Sequence, residues 1–299
     1  MNWVKYKNGN YEVLLNIDNG TKIRYNEEDS FLPDRPESID VKISNDCEHG
    51  CSFCHEDSYY GGRIADLKDV EKFAKSLPPY TEIALGGGNL MKNPEHTQNC
   101  LRIFKKYKAI VSITVLQYDF IHSNNIIRKW YNDKLIHGIG ISLTNAVDNR
   151  LWNLYLDYKT AIIHTIAGLL SINDIAYLMI HHARVLILGY KQFGRGYDCY
   201  QKNKEEIDCN ILTLKSFIPK LMKRLEVCSF DNLALEQLDI QSQVDKDTWD
   251  TYYMGNDGTA TFYVDLVNME YAISSISDRQ DIINNDCLTM FNSIKEMRV

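Results

Sequence analysis

The sequence lacks several features that mark particular classes of protein. It has no internal repeat at the period of a solenoid and no low-complexity segment. It also has no long hydrophobic run. The longest, such as Ala161–Leu170, are interrupted by His164 and Thr165 and are far shorter than the roughly 20 residues that span a bilayer. We therefore expect a soluble protein without a membrane partner.

A surplus of positive charge is also missing. Lys and Arg total 33 against 40 Asp and Glu, which gives a formal net charge of -7. Because a broad field that attracts phosphate backbones needs the opposite balance, nucleic acid is a disfavoured partner. The chain begins Met-Asn-Trp-Val-Lys, without a charged segment followed by an apolar one, so no secretory signal is apparent. The 8 cysteines are then expected to be reduced thiols in the cytoplasm.

The length of 299 residues fits one large α/β domain, or a domain of about 200 residues with an addition. Near the N-terminus two alternating runs, Tyr11–Ile17 and Thr21–Tyr25, flank the turn sequence Asp18-Asn19-Gly20 and predict a β-hairpin. The acidic segment Asn26–Pro36 then predicts an extended connector, because its prolines disfavour helix. Hairpin and connector together form a predicted N-terminal unit of residues 1–37.

From Ser38 onward, short β-branched runs alternate with helix-length segments. This order predicts parallel βαβ units with right-handed crossovers, and six such strands would curl into a barrel or part of one. The predicted fold class is α/β, with the chemistry at the carboxyl ends of the strands. The predicted strands are Ser38–Ile43, Glu82–Leu85, Ile110–Leu116, Gly138–Leu143, Thr160–Thr165 and Arg184–Leu188. The predicted helices are Asp66–Ser76, Pro94–Tyr107, Asn124–Asn132, Asp148–Leu156 and Ile172–His181.

The alternation loosens after residue 196, which predicts a core of residues 38–196 and a C-terminal α/β extension of residues 197–299. Within the extension we expect a polar segment, a helix, a strand and a β-hairpin. In chain order these are Tyr197–Asn210, Ile211–Leu225, Val227–Phe230, and Thr259–Leu266 with Tyr271–Ile276.

Three cysteines, Cys47, Cys51 and Cys54, lie together directly after the first predicted strand. Thiolates are soft ligands that suit zinc, copper(I) or iron–sulfur clusters, and this spacing lets one loop hold one metal centre. A fourth cysteine at matching spacing is missing, which would leave one iron of a cluster open to a substrate or cofactor. The alternatives are buried core cysteines, or a zinc site completed by His49 or His55. The second cysteine pair that structural zinc sites usually have is absent, which favours the cluster.

The motif Cys47-x3-Cys51-x2-Cys54, with Phe53 directly before the third cysteine, resembles the signature of the radical S-adenosylmethionine (radical SAM) superfamily. The resemblance implies a [4Fe-4S] cluster held by the three cysteines, with S-adenosylmethionine (SAM) chelated to the fourth iron. It also implies that one electron, from a donor such as flavodoxin or ferredoxin, cleaves SAM to methionine and a 5'-deoxyadenosyl radical. That radical abstracts a hydrogen atom from an organic substrate. The implied fold is a partial (β/α)6 TIM-type barrel over residues 38–196.

Other segments resemble SAM-binding positions of the superfamily. The turn Gly86-Gly87-Gly88-Asn89 is similar to its Gly-Gly-Glu motif, whose backbone binds the SAM amino group, although Gly88 or Asn89 replaces the acidic residue. Ser142 and Asn145 resemble positions that bind ribose or carboxylate; alternatively they cap the next helix. His164–Gly168 resembles the segment beside the adenine, and His164 is alternatively a core residue. The implied cofactor-binding residues are Phe53, Gly86, Gly87, Gly88, Asn89, Ser142, Asn145, His164 and Ile166.

The segment Leu188–Gly196 combines glycines, two aromatic residues and two cations at the mouth of the predicted barrel. Lys191 or Arg195 is a candidate for binding a substrate carboxylate; the alternative is a loop of solvated charges. The candidate catalytic residues are Tyr190, Lys191 and Cys199, with Tyr190 and Cys199 proposed to guide or quench the substrate radical.

The hairpin predicted between Tyr253 and Tyr271 is similar in outline to the SPASM or twitch extension of radical SAM enzymes that act on peptides. The cysteines that hold auxiliary clusters there are missing, so no auxiliary cluster is expected. The resemblance favours a peptide or protein side chain as the substrate. Alternatives within the superfamily are a glycyl-radical-enzyme activase and an enzyme that modifies a small metabolite. The alternative of another class is a zinc-stabilised binding module.

Overall fold

The computed structural model describes residues 2–27, 30–282, 284 and 286–297. Residues 28 and 29 of the predicted connector lie outside this description. So do residue 1 of the predicted N-terminal unit and residues 283, 285, 298 and 299 of the predicted C-terminal extension. Among the described residues, no helix has both the length and the apolar character that crossing a bilayer requires.

The N-terminus forms a three-stranded antiparallel sheet of β1 (Trp3–Asn8), β2 (Tyr11–Asn16) and β3 (Lys22–Tyr25). The predicted hairpin is confirmed as β2 and β3, and β1 is an additional strand. A buried carboxylate, Glu37, joins this sheet to the rest of the protein: it accepts a hydrogen bond from the Tyr11 hydroxyl at 2.6 Å.

A second sheet carries the remaining strands. Eight strands run parallel in the spatial order β10-β9-β8-β7-β6-β5-β4-β11, and β12 and β13 continue it antiparallel. All six strands predicted for the core are present, as is the strand predicted near residue 227. The bounds are β4 Ser38–Ser44, β5 Glu82–Gly87, β6 Ile110–Leu116, β7 Gly138–Ser142, β8 Ala161–Ile166, β9 Arg184–Leu188, β10 Val227–Phe230, β11 Thr261–Asp265, β12 Glu270–Ala272 and β13 Gln280–Asp281.

Helices follow most of these strands, as the alternation predicts. Asp66, Asn93, Asp148 and Ser171 each accept a hydrogen bond from a backbone N–H of the first helical turn, which fixes where four of the helices begin. The helices are α1 Leu67–Ser76, α2 Pro94–Lys106, α3 Gln117–His122, α4 Asn124–Asn132, α5 Asn149–Tyr155, α6 Ile172–Ile180, α7 Arg195–Arg224, α8 Asn232–Gln237, a 3-10 turn Ile240–Gln243, α9 Lys246–Tyr252 and α10 Cys287–Glu296.

Helix α7 is the largest departure from the expected elements. The segment Tyr197–Asn210, predicted only as a polar stretch with no assigned element, is helical, with one non-helical residue at Asn203. Few apolar residues in this half mark a buried face, since Ile207 is the main one that reaches the interior. The hydrophobic pattern is therefore too sparse to predict the helix locally.

The C-terminal hairpin is confirmed as β11 and β12, and it belongs to the main sheet. β11 pairs in parallel with β4, the first strand of the core, with Tyr263 beside Asp40 and Asp265 beside Lys42. The two ends of the sheet approach each other, because the Lys191 ammonium after β9 donates to Ser275 Oγ after β12 at 2.8 Å. The fold is thus α/β, of the partial TIM-barrel type.

Alternate residues of each parallel strand face opposite sides of the sheet. On β4, Ile39, Val41 and Ile43 are buried in the hydrophobic core beneath the helices. The intervening residues, including Asp40 and Lys42, face the concave side, which we call the barrel interior. The carboxyl ends of β4 to β9 open onto one rim of this interior.

Candidate active site

The three motif cysteines lie in the loop between β4 and α1, at the carboxyl ends of the parallel strands. Cys47, Cys51 and Cys54 are all free and half-buried. The loop is fixed by backbone hydrogen bonds, with the Asn45 N–H donating to Arg63 O at 2.8 Å and the Cys47 N–H donating to Tyr59 O at 3.0 Å. Three thiols are therefore held on one structured loop at the rim where the parallel topology predicts a site.

Cys47 and Cys51 favour their protonated form in the absence of a cation. Burial, followed by the proximity of the Cys54 and Cys47 thiols, raises the pKa of Cys51. Burial also raises the pKa of Cys47, with a smaller contribution from Cys54. A metal cation would reverse these shifts, since it binds the thiolate form. This donor set fits an iron–sulfur cluster chemically.

No group of three or more His, Cys, Asp or Glu side chains in the described residues is arranged to coordinate a single metal ion. In an iron–sulfur cluster the cysteines bind different iron atoms of the same cluster and need not converge on one point.

The two histidines of the loop are engaged with other side chains. His49 Nε2 lies 2.6 Å from Asp119 Oδ2 and 3.0 Å from the Asn89 side-chain nitrogen. His55 Nε2 lies 3.5 Å from Glu56 Oε1. Burial lowers the pKa of His55 well below its ordinary value, and the neighbouring cations Lys191, Lys42 and Arg279 lower it further.

The glycine turn after β5 packs directly on the start of the cysteine loop. The Gly88 N–H donates to Ser44 O at 2.6 Å, and the Asn89 N–H donates to Asp46 O at 2.8 Å. A Cβ atom at Gly88 would lie 2.9 Å from the Asp46 nitrogen, and Gly87 has a φ of 118° that favours glycine. A Cβ at Gly86 would meet nothing within 4 Å, so this glycine borders open space.

Ser142 and His164 are neighbours, because they are paired residues of β7 and β8. Burial lowers the pKa of His164 to about 4, so its imidazole is neutral at physiological pH. The ring lies against Gly140, where a Cβ would come 2.6 Å from Nε2. Ile166 follows two residues later on the same strand and face.

Asn145 organises the loop between β7 and α5. Its side-chain oxygen accepts from the Val147 N–H at 3.0 Å, whereas Asp148 is the residue that caps α5. The buried Gln117 holds the same loop, since its side-chain oxygen accepts from the Asn145 N–H at 2.9 Å. Sequence reasoning missed Gln117, because only the fold brings it to residue 145.

Arg195, at the start of α7, is bonded to the cysteine loop. The Arg195 guanidinium donates to Cys51 O at 3.1 Å and to Ser58 O at 2.9 Å. The backbone N–H of Arg195 donates to Asp57 Oδ1 at 2.8 Å. Gly196 permits close packing at the start of α7, because a Cβ there would clash with Lys191 O and would lie 3.2 Å from Phe53 O. The sequence offered Lys191 or Arg195 as a candidate for binding a carboxylate, or else as a solvated charge; in the structure Arg195 binds backbone carbonyls of the loop.

The candidate catalytic residues lie close to this contact. Tyr190 is buried, and its hydroxyl donates to Gly196 O at 3.1 Å. Cys199 Sγ lies 3.7 Å from Ser52 Oγ in the cysteine loop. Although burial alone would raise the pKa of Cys199, its side-chain hydrogen bonds with Tyr190, Ser52 and Asn203 lower it. Lys191 reaches Ser275 on the far side of the barrel mouth.

A charged network connects the cysteine loop with β11. Lys42 forms ion pairs with Glu56 at 2.7 Å and with Asp265 at 3.3 Å. The Tyr263 hydroxyl donates to Glu56 at 3.1 Å. These side chains are largely buried, and each has a partner, as a stable buried charge requires.

Comparison with known proteins gives a match at the level of structure only. No protein-family model matches the chain, and no curated protein is significantly similar to it in sequence. Among solved structures 18 chains match. One of them is the crystal structure of Streptococcus suis SuiB bound to S-adenosylmethionine. It aligns over 97% of this chain and 86% of that chain, with a TM-score of 0.59 and 12% identity.

This chain has the fold of SuiB. The alignment with SuiB spans almost the whole of this chain, and therefore includes the N-terminal sheet, the parallel strands and the C-terminal segment. At this identity the likeness to SuiB establishes the fold and not the activity.

Proposed function

We propose that this protein is a radical SAM enzyme, in which Cys47, Cys51 and Cys54 hold a [4Fe-4S] cluster. One observation carries the proposal: three free, half-buried thiols lie on one ordered loop after the first parallel strand, and this loop packs against a glycine turn and is hydrogen-bonded to Arg195. The SAM-bound crystal structure of SuiB, which has the same fold, supports SAM as the cofactor. When bound, the cluster and SAM would supply a 5'-deoxyadenosyl radical that abstracts hydrogen from the substrate.

The residues around the loop have separate proposed tasks. Gly86 leaves open space beside the glycine turn, where backbone groups of Gly87 and Gly88 would receive the SAM amino group. Ser142 and Asn145 would bind the ribose or the carboxylate. Neutral His164, with Ile166, would form an uncharged surface for the adenine.

The remaining roles concern access and the substrate. Phe53 would cover the cluster, and Tyr190, Lys191 and Cys199 would line the approach of the substrate from the rim. We propose a peptide or protein side chain as the substrate, in a cytoplasmic enzyme reduced by flavodoxin or ferredoxin. An activase for a glycyl-radical enzyme and a small-metabolite enzyme are the alternatives within this class. The N-terminal unit, the core and the C-terminal extension would serve as separate functional parts.

Anaerobic purification with iron, sulfide and zinc analysis tests the proposal. We expect about four irons per chain, a brown colour, and 5'-deoxyadenosine when SAM and a reductant are added. A colourless protein that holds one zinc would replace the proposal with a zinc-stabilised module. Iron without SAM cleavage would instead indicate an electron-transfer protein.

A further inference from the structure

The strand register places one carboxylate deep in the barrel interior. Asp40 of β4 is level with Tyr263 of β11 on one side and with Ala84, Ser112 and Gly138 of the following strands on the other. The last three have small side chains, so these strands place little side-chain volume in the interior at the level of Asp40. Since Asp40 precedes Ser44 by four residues, it lies about 13 Å below the rim.

Asp40 has no hydrogen-bond or ion-pair partner among the residues that the structure describes. Its side chain is exposed by surface area. Burial nevertheless raises its pKa to about 6. A carboxylate that faces an enclosed, water-accessible space, rather than bulk solvent, accounts for both observations. Its surface is accessible to water, yet the surrounding protein disfavours its ionised form.

The charges around this carboxylate are unbalanced. Lys191 is the cation that acts on Asp40, whereas Asp257, Glu56 and Asp231 act on it as anions. Asp231 is also desolvated, and burial raises its pKa. The carboxylate therefore has more anionic than cationic neighbours.

The other cations of the interior are occupied. Lys42 is paired with Glu56 and Asp265. Arg279 donates to Ser275 O at 2.6 Å and lies over the Tyr263 ring, 4.2 Å from its centre. The histidines His55 and His164 are held neutral by burial. Among the residues that the structure describes, neither Lys42 nor Arg279 is therefore paired with Asp40.

We propose that Asp40 binds a positively charged group of the substrate, an ammonium or guanidinium at the end of an elongated chain inserted from the rim. The inference rests on the proposed function, because it places the substrate in the barrel interior below the cluster loop. A carboxylate aligned with a guanidinium or ammonium makes a strong, charge-assisted hydrogen bond in such a site. Lys and Arg side chains and free alkyl amines share this chemistry.

The titration of the Asp40 carboxyl tests the inference without any SAM chemistry. Carbon-13 NMR follows the carboxyl signal, which is assigned by its absence in Asp40→Asn. The peptide-like probes are Nα-acetyl-lysine and Nα-acetyl-arginine methylamides, and the free amines are 1,5-diaminopentane and agmatine. We expect at least one of these cations to lower the midpoint by roughly one pH unit or more. The neutral isosteres Nα-acetyl-norleucine and Nα-acetyl-citrulline methylamides should leave it unchanged.

The pattern of binding identifies the source of the cation. Binding of the blocked amino acids supports a peptide side chain, and binding of the free amines alone supports a small amine. Three results would overturn the inference. The midpoint of the Asp40 titration would shift with none of the cations, would shift equally with the neutral isosteres, or would shift with SAM alone.

Matched variants separate charge from structure. Asp40→Glu should retain the preference for cations, and Asp40→Asn should reduce their affinity about tenfold or more, as expected for a lost charge-assisted bond. Asp133→Asn, exposed at the end of α4, is the control and should bind as the wild type does. Equal affinity in Asp40→Asn would also overturn the inference. Failure of the proposed function would give a different result from failure of this inference: the purified protein would lack iron and would form no 5'-deoxyadenosine.

Discussion

The Arg195 guanidinium donates a hydrogen bond to the backbone carbonyl of Cys51, across a sequence separation of 144 residues. It binds Ser58 O at the same time. One side chain from the start of α7 thereby fixes two points of the cysteine loop. Since it also places a positive charge beside Cys51, it contributes both to the position of the thiol and to its electrostatic environment.

Replacing Arg195 with Gln should loosen the loop. The loss of hydrogen bonds from a charged donor costs about 1.5–3 kcal/mol when the acceptors are left without a partner. We expect faster labelling of Cys51 by a thiol reagent in metal-free protein, and a more negative reduction potential of the loaded cluster. Arg195→Lys should bring the reduction potential close to the wild-type value, because Lys keeps the positive charge. It should restore the labelling rate less well, because Lys lacks the planar fork that binds two carbonyls. An unchanged labelling rate in Arg195→Gln would show that the loop does not depend on this contact.

The cysteines can be compared within one chain. Cys51→Ala should lose the cluster and, with it, the cleavage of SAM, because the remaining two thiols leave a second iron without a ligand. Cys209→Ala is the matched control, since Cys209 is free and exposed on α7. Iron content and 5'-deoxyadenosine should be normal in the control. Full iron content in Cys51→Ala would contradict the assignment of this thiol.

Two neighbouring glycines should respond differently to the same substitution. Gly88→Ala introduces a methyl group against the Asp46 backbone, and we expect a loss of stability of about 2 kcal/mol or more. Gly86→Ala meets no atom within 4 Å and should fold normally. If SAM binds at this turn, Gly86→Ala should weaken SAM binding while leaving urea unfolding unchanged. Normal SAM affinity in a folded Gly86→Ala protein would place the cofactor elsewhere.

Asp40→Asn should stabilise the protein at neutral pH and have no effect in acid. The folded state raises the pKa of Asp40 from 3.8 to about 6, so it holds this proton more tightly than the unfolded state does. The destabilising effect of the ionised carboxylate therefore appears as the pH rises through 3.8 and is complete above about 6. Because the side chain contacts water, we expect on the order of 1 kcal/mol.

Urea unfolding of the wild type and of Asp40→Asn, in neutral and in acidic buffer, measures this difference directly. A variant less stable than the wild type at neutral pH would mean that the carboxylate has a stabilising partner.

The sequence predicted those parts of the fold that local patterns control. The strands from β4 to β9 have short β-branched runs, and helices such as α1 and α6 begin at a capping Asp or Ser. The three cysteines directly follow the residues of β4 in the chain. Because the carboxyl ends of parallel strands share one edge, the local pattern was sufficient to predict their loop at the rim.

Contacts between distant segments could not be predicted in the same way. No local pattern shows that β11 pairs with β4, or that Lys42 has Asp265 as a partner. The same is true of Arg195 and Cys51. In particular, that Asp40 has no partner within the described part of the chain becomes apparent only when the strand register and the surrounding charges are known.

The pairing of β11 with β4 has a consequence for the order in which the site is made. About 220 residues separate Thr261 from its partner Ser38. At ribosomal rates, the last neighbour of the first core strand is synthesised on the order of 10 to 40 s after that strand. During this interval β4 has an open edge, and Lys42 lacks the Asp265 carboxylate. We therefore expect metal loading of the cysteine loop to follow the synthesis of β11 rather than accompany the synthesis of the core strands.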